Sequence, residues 1–121
     1  MIGLKSGAQI NNLDKKLEEQ LRNIALLWKA FFPADTDGLT ITSGCEGSKD
    51  DGVHKPSSLH YPENSPTLLG RAIDLRTFDV PKERLTNALL PSLRLLLGTD
   101  FDVVLEKDHI HLEYDPKGII V

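Results

Sequence analysis

The stretch FDVVLEKDHIHLEY, residues 101–114, decides the fold class of this 121-residue chain. Its second half, HIHLEY, alternates polar and apolar residues strictly, and the polar turn EKDH separates it from the β-prone first half, FDVVLE. This pattern is typical of two antiparallel strands joined in a hairpin. Because successive side chains of a strand point to opposite faces, we expect His109, His111 and Glu113 to share one face of the second strand.

Two further strands are predicted before this hairpin. LTITSG, residues 39–44, shows the β-branched alternation of a short strand, and GRAIDLR, residues 70–76, indicates another. In the latter, Ala72 and Asp74 share one face, so that Asp74 stands between apolar neighbours. The segment CEGSKDDGVHKPSS, residues 45–58, is rich in Gly, Ser, Asp and Pro and is predicted to be a surface loop.

Two amphipathic helices complete the predicted fold. Apolar residues at steps of three and four predict a first helix over residues 12–32, ended by Pro33. A second helix is predicted over residues 81–98, with a break or kink near Leu90 because Pro91 removes a helical hydrogen bond. The apolar stripe of this second helix consists of Leu85, Leu89, Leu93 and Leu96.

The elements and the composition agree on a small globular class of protein. They predict a single α+β domain, residues 1–121, in which helices pack on one face of a small antiparallel sheet. Hydrophobic residues make up 40% of the chain and charged residues 26%, as in ordinary globular proteins. The net charge of -4 argues against a nucleic-acid partner. Neither a signal peptide nor an apolar run of membrane-spanning length is visible, so we expect cytoplasmic synthesis and no membrane insertion.

The side chains available for a metal site are histidines and carboxylates. The single cysteine, Cys45, excludes an internal disulfide framework and a Cys-rich zinc finger. A buried aspartate such as Asp74 needs a charged or metal partner. Two histidines with one carboxylate suit a zinc site that keeps its fourth position for water. A polar strand face can alternatively be solvated without any ligand, as is common in half-exposed antiparallel sheets.

Three short motifs resemble those of a known enzyme family. SLH at 58–60, GRAID at 70–74 and DHIH at 108–111 follow the patterns S-x-H, G-x-A-x-D and D-x-x-H. This combination is similar to the zinc D-alanyl-D-alanine carboxypeptidase family, which includes the vancomycin-resistance dipeptidases and phage L-alanyl-D-glutamate endolysins. The resemblance covers residues 41–114 and implies the zinc-binding fold that this family shares with the hedgehog signalling domain.

The resemblance also implies a role for each motif residue. The zinc ligands that it implies are His60, Asp74 and His111. Asp108 would be the catalytic base, which takes the proton of the metal-bound water and passes it to the leaving amine. Glu113 would hold the imidazole of a ligand histidine in place, and Ser58 would either contact the substrate or orient its own loop. His109 is a rival ligand, ranked below His111 because Asp108 stands at the motif distance from His111.

Two features depart from the family pattern. The family usually has two residues between the first histidine and the glycine, whereas this chain has the nine residues YPENSPTLL, an insertion of seven. The inserted loop is expected to lie beside the metal and either to shape or to cover the substrate cleft. Many members also carry an arginine in an S-G-x-R arrangement, and residues 43–58 contain none. Lys49, His54 and Lys55 are the candidate replacements, of which His54 is the preferred substrate contact.

The resemblance implies a zinc metallopeptidase that hydrolyses peptide bonds in the stem peptides of bacterial peptidoglycan, as a D,D-carboxypeptidase or as an L-Ala-D-Glu endopeptidase. The small size and the lack of a signal peptide resemble phage or prophage lytic enzymes, which reach the cell wall after release or as part of a virion. One alternative is a catalytically weak or inactive module in which zinc stabilises a hedgehog-like fold and a partner binds. Another is a metal-free domain with a polar cleft. The sequence indicates neither the bond that is cleaved nor an oligomeric state.

Overall fold

The computed structural model describes residues 2–34 and 38–116 and has an α+β fold built on one five-stranded sheet. The strands are β1 (Ile2–Leu4), β2 (Leu39–Ser43), β3 (Ala72–Arg76), β4 (Phe101–Leu105) and β5 (His109–Tyr114). Their order in the sheet is β1-β2-β3-β5-β4. The predicted hairpin is confirmed, because β4 and β5 pair antiparallel. However, β1 pairs parallel with β2, so the sheet is mixed and the prediction of a purely antiparallel sheet is wrong.

The strand β1 is the element that the sequence analysis missed. Its three residues pair with β2 in a register that places Ile2 opposite Leu39. Parallel neighbours need a crossover connection, and helices α1 (Lys15–Glu18) and α2 (Leu21–Phe31) lie between the two strands in the chain. A strand of three residues is too short to show a period of two, so its conformation depends on a partner that is distant in sequence.

The first predicted helix is divided in two. Asp14 caps α1, since its Oδ1 accepts a backbone N–H of the first turn at 3.1 Å. A tight turn follows, in which the N–H of Gln20 donates to the carbonyl of Leu17 at 3.0 Å, and α2 begins after it. The prediction of one helix over residues 12–32 is therefore wrong at its start and at this turn. Its end next to Pro33 is confirmed.

The second predicted helix contains a π-helical turn. It consists of α3 (Lys82–Arg84), a π-helix over Leu85–Leu89 and α4 (Leu90–Leu97), which is closed by Gly98. The backbone N–H of Leu90 donates to the carbonyl of Leu85 across five residues, so the chain stays helical in front of Pro91. The alternative of a break near Leu90 is therefore wrong, whereas an irregularity of the helix does occur directly before Leu90, as the π-helical turn. The wider turn also shifts the apolar stripe, so that Leu97 is buried whereas Leu96 is exposed.

The helices pack on one face of the sheet and enclose the hydrophobic core, as predicted. The strands supply one layer of apolar side chains, which are Leu39, Ile41, Ile73, Leu75, Val103, Ile110 and Leu112. The helices supply the other layer, which is Leu17, Leu21, Ile24, Trp28, Leu85, Leu89, Leu90, Leu93 and Leu97. The opposite face of the central strands carries polar side chains and lines a cleft. Among the described residues, no helix has the length and apolar character needed to cross a membrane.

Candidate metal centre

Strands β3 and β5 bring polar side chains together on the open face of the sheet. Their antiparallel register places Asp74 directly opposite His111 and Arg76 opposite His109. Directly opposed residues point to the same face of a sheet. The intervening residues of β5 are buried in the core. The predicted common face of His109, His111 and Glu113 is therefore confirmed.

Asp74 lies at the centre of this face and is only 7% exposed. Its Oδ1 is 3.2 Å from Nε2 of His60 and 3.0 Å from Nδ1 of His111. Burial raises the pKa of the Asp74 carboxyl, but the hydrogen bonds of these two imidazoles, with the nearby charge of His60 and of His109, hold it well below its usual range. Asp74 is therefore a buried carboxylate that is contacted by two imidazoles, that of His60 from a loop and that of His111 from strand β5.

His60 reaches the site from the long loop between β2 and β3, and it is fully buried. Its Nδ1 lies 2.7 Å from the carbonyl oxygen of Gly44, and the opposite nitrogen faces Asp74. The Oγ of Ser58 accepts the backbone N–H of His60 at 3.1 Å, so Ser58 orients the loop, which is one of the two roles considered for it. An imidazole that donates one N–H to a carbonyl presents its other nitrogen as a metal ligand.

Two glycines at the ends of this loop lie very close to neighbouring chain segments. A Cβ on Gly70 would lie 2.7 Å from Cβ of Cys45, and a Cβ on Gly44 would overlap the carbonyl oxygen of Gln9. The backbone N–H of Gly70 also donates to Asn12 at 2.8 Å, which holds the N-terminal segment against the start of β3. The motif glycine at position 70 is thus explained by close approach of neighbouring chain segments.

The nine-residue segment YPENSPTLL does not line the cleft. The residues around His60 and Asp74 that line it come from 53–60, from strands β3 and β5 and from Glu106 in the turn before β5. None comes from 61–69, all of which the structure describes. Instead Tyr61 is fully buried, and its OH accepts the backbone N–H of His54 at 2.9 Å. The expectation that the insertion shapes the cleft directly is wrong, since it acts through the loop that carries His54.

Glu113 and Asp74 hold the two ring nitrogens of His111. Nδ1 faces Asp74, and Nε2 lies 3.1 Å from Oε1 of Glu113. Burial lowers the pKa of the His111 imidazole, but the hydrogen bonds and negative charges of Asp74 and Glu113 outweigh burial and raise it to about 9. In the metal-free protein His111 is therefore a cation at neutral pH, and its proton on Nδ1 must leave before that nitrogen can bind a metal.

All four histidines of the chain surround Asp74. His54 stacks on His60 with ring centroids 4.0 Å apart, and its Nε2 lies 2.9 Å from Oγ of Ser43. His54, His60 and Asp74 each offer a ligand atom, and these three atoms lie within 4.8 Å of one another. Nε2 of His109 is 3.8 Å from Oδ1 of Asp74, farther than the nearest nitrogen of His111. The three-ligand group in this structure therefore contains His54, predicted as a substrate contact, in place of the predicted ligand His111, which contacts Asp74 from the side of β5.

Asp108 lies on the exposed turn between β4 and β5. Its side chain is 71% exposed, and its Oδ1 is 2.7 Å from Nδ1 of His109. Asp108 is therefore connected to Asp74 through His109, whose Nε2 is 3.8 Å from Oδ1 of Asp74. Asp108 also lines the part of the cleft next to these residues. Of the two loop lysines considered as arginine replacements, Lys55 lines the cleft around His60, and Lys49 is exposed and does not.

Two polar residues at the site were not found by sequence reasoning. A β-bulge between Ile41 and Ser43 turns Ser43 toward Asp74, where it contacts His54 and donates to Oε2 of Glu46 at 2.6 Å. Arg76 follows Asp74 by two residues on β3 and lines the same cleft. The bulge cannot be read from the alternation of LTITSG, but the i, i+2 spacing of Asp74 and Arg76 could have indicated Arg76.

The donor atoms around Asp74 fit a zinc ion. Tetrahedral zinc with bonds of about 2.0–2.1 Å places neighbouring ligand atoms roughly 3.3 Å apart. The Asp74 Oδ1 distances of 3.2 Å to His60 and 3.0 Å to His111 agree with that spacing pair by pair. The three ligand atoms here that lie within 4.8 Å of one another, however, come from His54, His60 and Asp74, and His111 is not part of that group. The outer nitrogens of both imidazoles are held by oxygen acceptors, as is usual for metal-binding histidines. The residues present are thus of the right type and close enough together to hold a divalent metal.

The metal-free protein is expected to lose stability as the pH rises from 6.5, the ordinary pKa of histidine, to about 9, the pKa of His111 in the fold. A group whose pKa is raised by folding stabilises the fold fully below its unfolded pKa and ceases to do so above its folded pKa. Zinc affinity should rise over the same range, because the metal and the proton compete for His111. Urea unfolding of metal-free protein at several pH values measures the first effect.

The Glu113→Gln variant is the control for this pH dependence. It removes one of the two charges that raise the pKa of His111, so its free energy of unfolding should fall less between the same pH values. A free energy of unfolding of the metal-free native protein that stays constant or rises over this interval would contradict the assignment of charge to His111.

Comparison of the chain with protein-family models, with curated proteins and with solved structures finds no match. The family resemblance therefore depends on the three sequence motifs. In the structure, His60, Asp74 and His111 from these motifs lie together, and Asp108 lies next to them through His109.

Proposed function

We propose that this protein is a zinc metallopeptidase with a hedgehog/D,D-peptidase-like fold, which hydrolyses peptide bonds in peptidoglycan stem peptides. The observation that supports this proposal best is the convergence of His60 and His111 on one oxygen of Asp74. The family resemblance supplies the substrate class and suggests a D,D-carboxypeptidase or L-Ala-D-Glu endopeptidase of phage or prophage type that acts at the cell wall.

Each residue has a defined part in the proposed reaction. A zinc ion held by His60, Asp74 and His111 would polarise the scissile carbonyl and lower the pKa of a bound water towards about 7. The carbonyl of Gly44 keeps the His60 ring oriented, and Glu113 does the same for His111. Asp108 accepts the proton of the attacking water and passes it to the leaving amine. To act there, its carboxylate, which lies 71% exposed on a turn, would exchange its hydrogen bond with His109 for one with the water.

A zinc-stabilised binding module is the second candidate. Two observations favour it, namely the lack of an arginine in residues 43–58 and the hydrogen bond that directs the Asp108 carboxylate towards His109. In that case His60, Asp74 and His111 would hold the metal as a structural cross-link between the loop and the two strands.

The Asp108→Ala variant distinguishes the two candidates. If Asp108 is the base, the variant keeps about one zinc per chain, because it is not a ligand, and loses hydrolysis by about 10²- to 10⁴-fold. Elemental analysis measures the metal, and release of new amino groups from purified peptidoglycan measures hydrolysis. Asp50→Ala, which removes an exposed loop carboxylate, is the matched control and should retain both properties.

Two results would decide against different parts of the proposal. Native protein that binds zinc but releases no amino groups would favour the binding module. Full hydrolysis by Asp108→Ala would leave a peptidase with another base, and the role proposed for Asp108 would be wrong.

A further inference from the structure

The cleft continues past the candidate ligands into a second compartment, which we call the Arg76 compartment. It has a volume of about 780 Å³ and lies between β1 and the β4–β5 turn, on the open face of the sheet. The side chains that line it and matter here are Lys5, Thr40, Thr42, Asp74, Arg76 and Phe78. Because Asp74 belongs to both compartments, a molecule that reaches the metal centre can extend towards Arg76.

The guanidinium of Arg76 is only partly satisfied by the protein. Its Nη2 donates to Oδ2 of Asp79 at 2.8 Å, and its Cζ lies 5.1 Å from the centroid of the Phe78 ring. Its Nε is buried and has no hydrogen-bond partner among the residues that the structure describes. In residues 2–34 and 38–116, no other buried side-chain nitrogen or oxygen lacks a hydrogen-bond partner. Such donors are ordinarily paired, so the guanidinium is held in place with its hydrogen-bonding capacity incompletely used. The side chain is 25% exposed, and its accessible end, which makes a hydrogen bond only to Asp79 among the described residues, is the part that a ligand in the cleft can reach.

The other groups of the compartment favour a carboxylate as this ligand. Lys5 adds a second cation, and the hydroxyl of Thr40 adds a further donor, whereas the hydroxyl of Thr42 donates to the backbone carbonyl of Asp74 at 3.4 Å. The two carboxylates that also line the compartment face histidines, because Asp74 contacts His60 and His111, and Asp108 contacts His109. An arginine fork recognises a carboxylate by paired N–H donors, more specifically than a lysine does.

We propose that Arg76 binds a carboxylate of the peptide substrate and so selects the bond that is cut. This inference rests on the proposed peptidase function. Arg76 follows Asp74 by two residues on a strand, which separates their Cα atoms by about 6.6 Å. An extended peptide advances by about 3.3–3.6 Å per residue, so the recognised carboxylate lies within about two residues of the scissile bond. The carboxylate belongs either to the end of the peptide or to an acidic side chain.

Three peptide probes and the NMR signal of the Arg76 Nε–H group test this inference on the full chain. N-acetyl-alanyl-alanine offers a terminal carboxylate, its C-terminal amide offers none, and N-acetyl-glutamyl-alanine amide offers only a side-chain carboxylate. The Nε–H signal is assigned by its loss in Arg76→Gln. We expect it to shift when one or both of the probes with a carboxylate are added, and not when the C-terminal amide of N-acetyl-alanyl-alanine is added. Which acid shifts the signal identifies the source of the carboxylate.

Variants supply the quantitative readout. Arg76→Gln should weaken binding of the acidic probe about tenfold or more, because a hydrogen bond to a charged group is lost. It should also raise KM by a similar factor and leave kcat and zinc content nearly unchanged, because the anchor lies away from the reacting bond. Arg76→Lys keeps the positive charge but loses the paired N–H donors of arginine. Its affinity for the acidic probe and its KM should therefore lie between those of the native protein and those of Arg76→Gln. Arg22→Gln, an exposed arginine on α2, is the matched control.

Two results separate failure of this inference from failure of the proposed function. Equal affinity of the native protein for the acids and the amide, or unchanged affinity in Arg76→Gln and Arg76→Lys, would overturn the role of Arg76. Native protein without zinc and without hydrolysis would overturn the peptidase, whereas selective binding of an acid at Arg76 would still support a carboxylate site there.

Discussion

Asp74→Asn should lose stoichiometric zinc and all measurable hydrolysis, while the chain still folds. Asparagine has nearly the same shape, but it replaces a charged metal ligand by a neutral amide at the point where His60 and His111 meet. It also leaves the His111 cation with Glu113 as its remaining acidic contact. We expect the metal-free variant to be destabilised by about 2 kcal/mol, less than for a fully buried pair because His111 is partly exposed.

Elemental analysis, amino-group release from peptidoglycan and urea unfolding measure these three effects. Asp50→Asn makes the same chemical change on an exposed loop and should behave as the native protein. If Asp74→Asn kept a full equivalent of zinc, the metal centre would have to be elsewhere, and the proposal for this face of the sheet would fail.

Gly44→Ala should damage the fold and the site together. Its Cβ would overlap the carbonyl oxygen of Gln9 and lie 3.2 Å from Cγ2 of Ile10. Relief of this overlap requires the backbone to move, which costs about 2–3 kcal/mol of stability. The carbonyl of Gly44 orients His60, so zinc affinity should also fall by about 10- to 100-fold.

Urea unfolding and a zinc titration against a competing chelator measure both losses. Gly3→Ala is the matched control, because its Cβ would meet Oγ1 of Thr40 at an ordinary distance of 3.5 Å. We expect it to change stability by no more than about 0.5 kcal/mol. Equal unfolding curves for Gly44→Ala and Gly3→Ala would show that the segment around Gln9 moves aside easily, contrary to this prediction.

The residues that sequence reasoning placed correctly are those whose position depends on local periodicity. His109, His111 and Glu113 share a face because strand alternation is a property of the chain itself, and the hairpin follows from the turn between its strands. Asp74 was expected between apolar neighbours and is buried in the sheet. These features required no knowledge of distant contacts.

The features that sequence reasoning missed depend on contacts between distant segments. β1 is a strand only because β2 lies beside it, and Ser43 faces the site only because a bulge shifts the register of β2. His54, which stacks on His60, is held by Tyr61, whose OH accepts the backbone N–H of His54. The π-helical turn before Pro91 is a local feature, but a proline alone predicts only that the α-helical pattern is disturbed there.

The origin of the ligands in three separate segments has a consequence for folding kinetics. His60 comes from a loop, Asp74 from β3 and His111 from β5, so the complete set exists only after the sheet has assembled. An ion that binds only the assembled site stabilises the native state and does not stabilise the unfolded or partly folded chain. Zinc would therefore slow the unfolding of this protein more than it would speed its folding, and so would increase its kinetic stability.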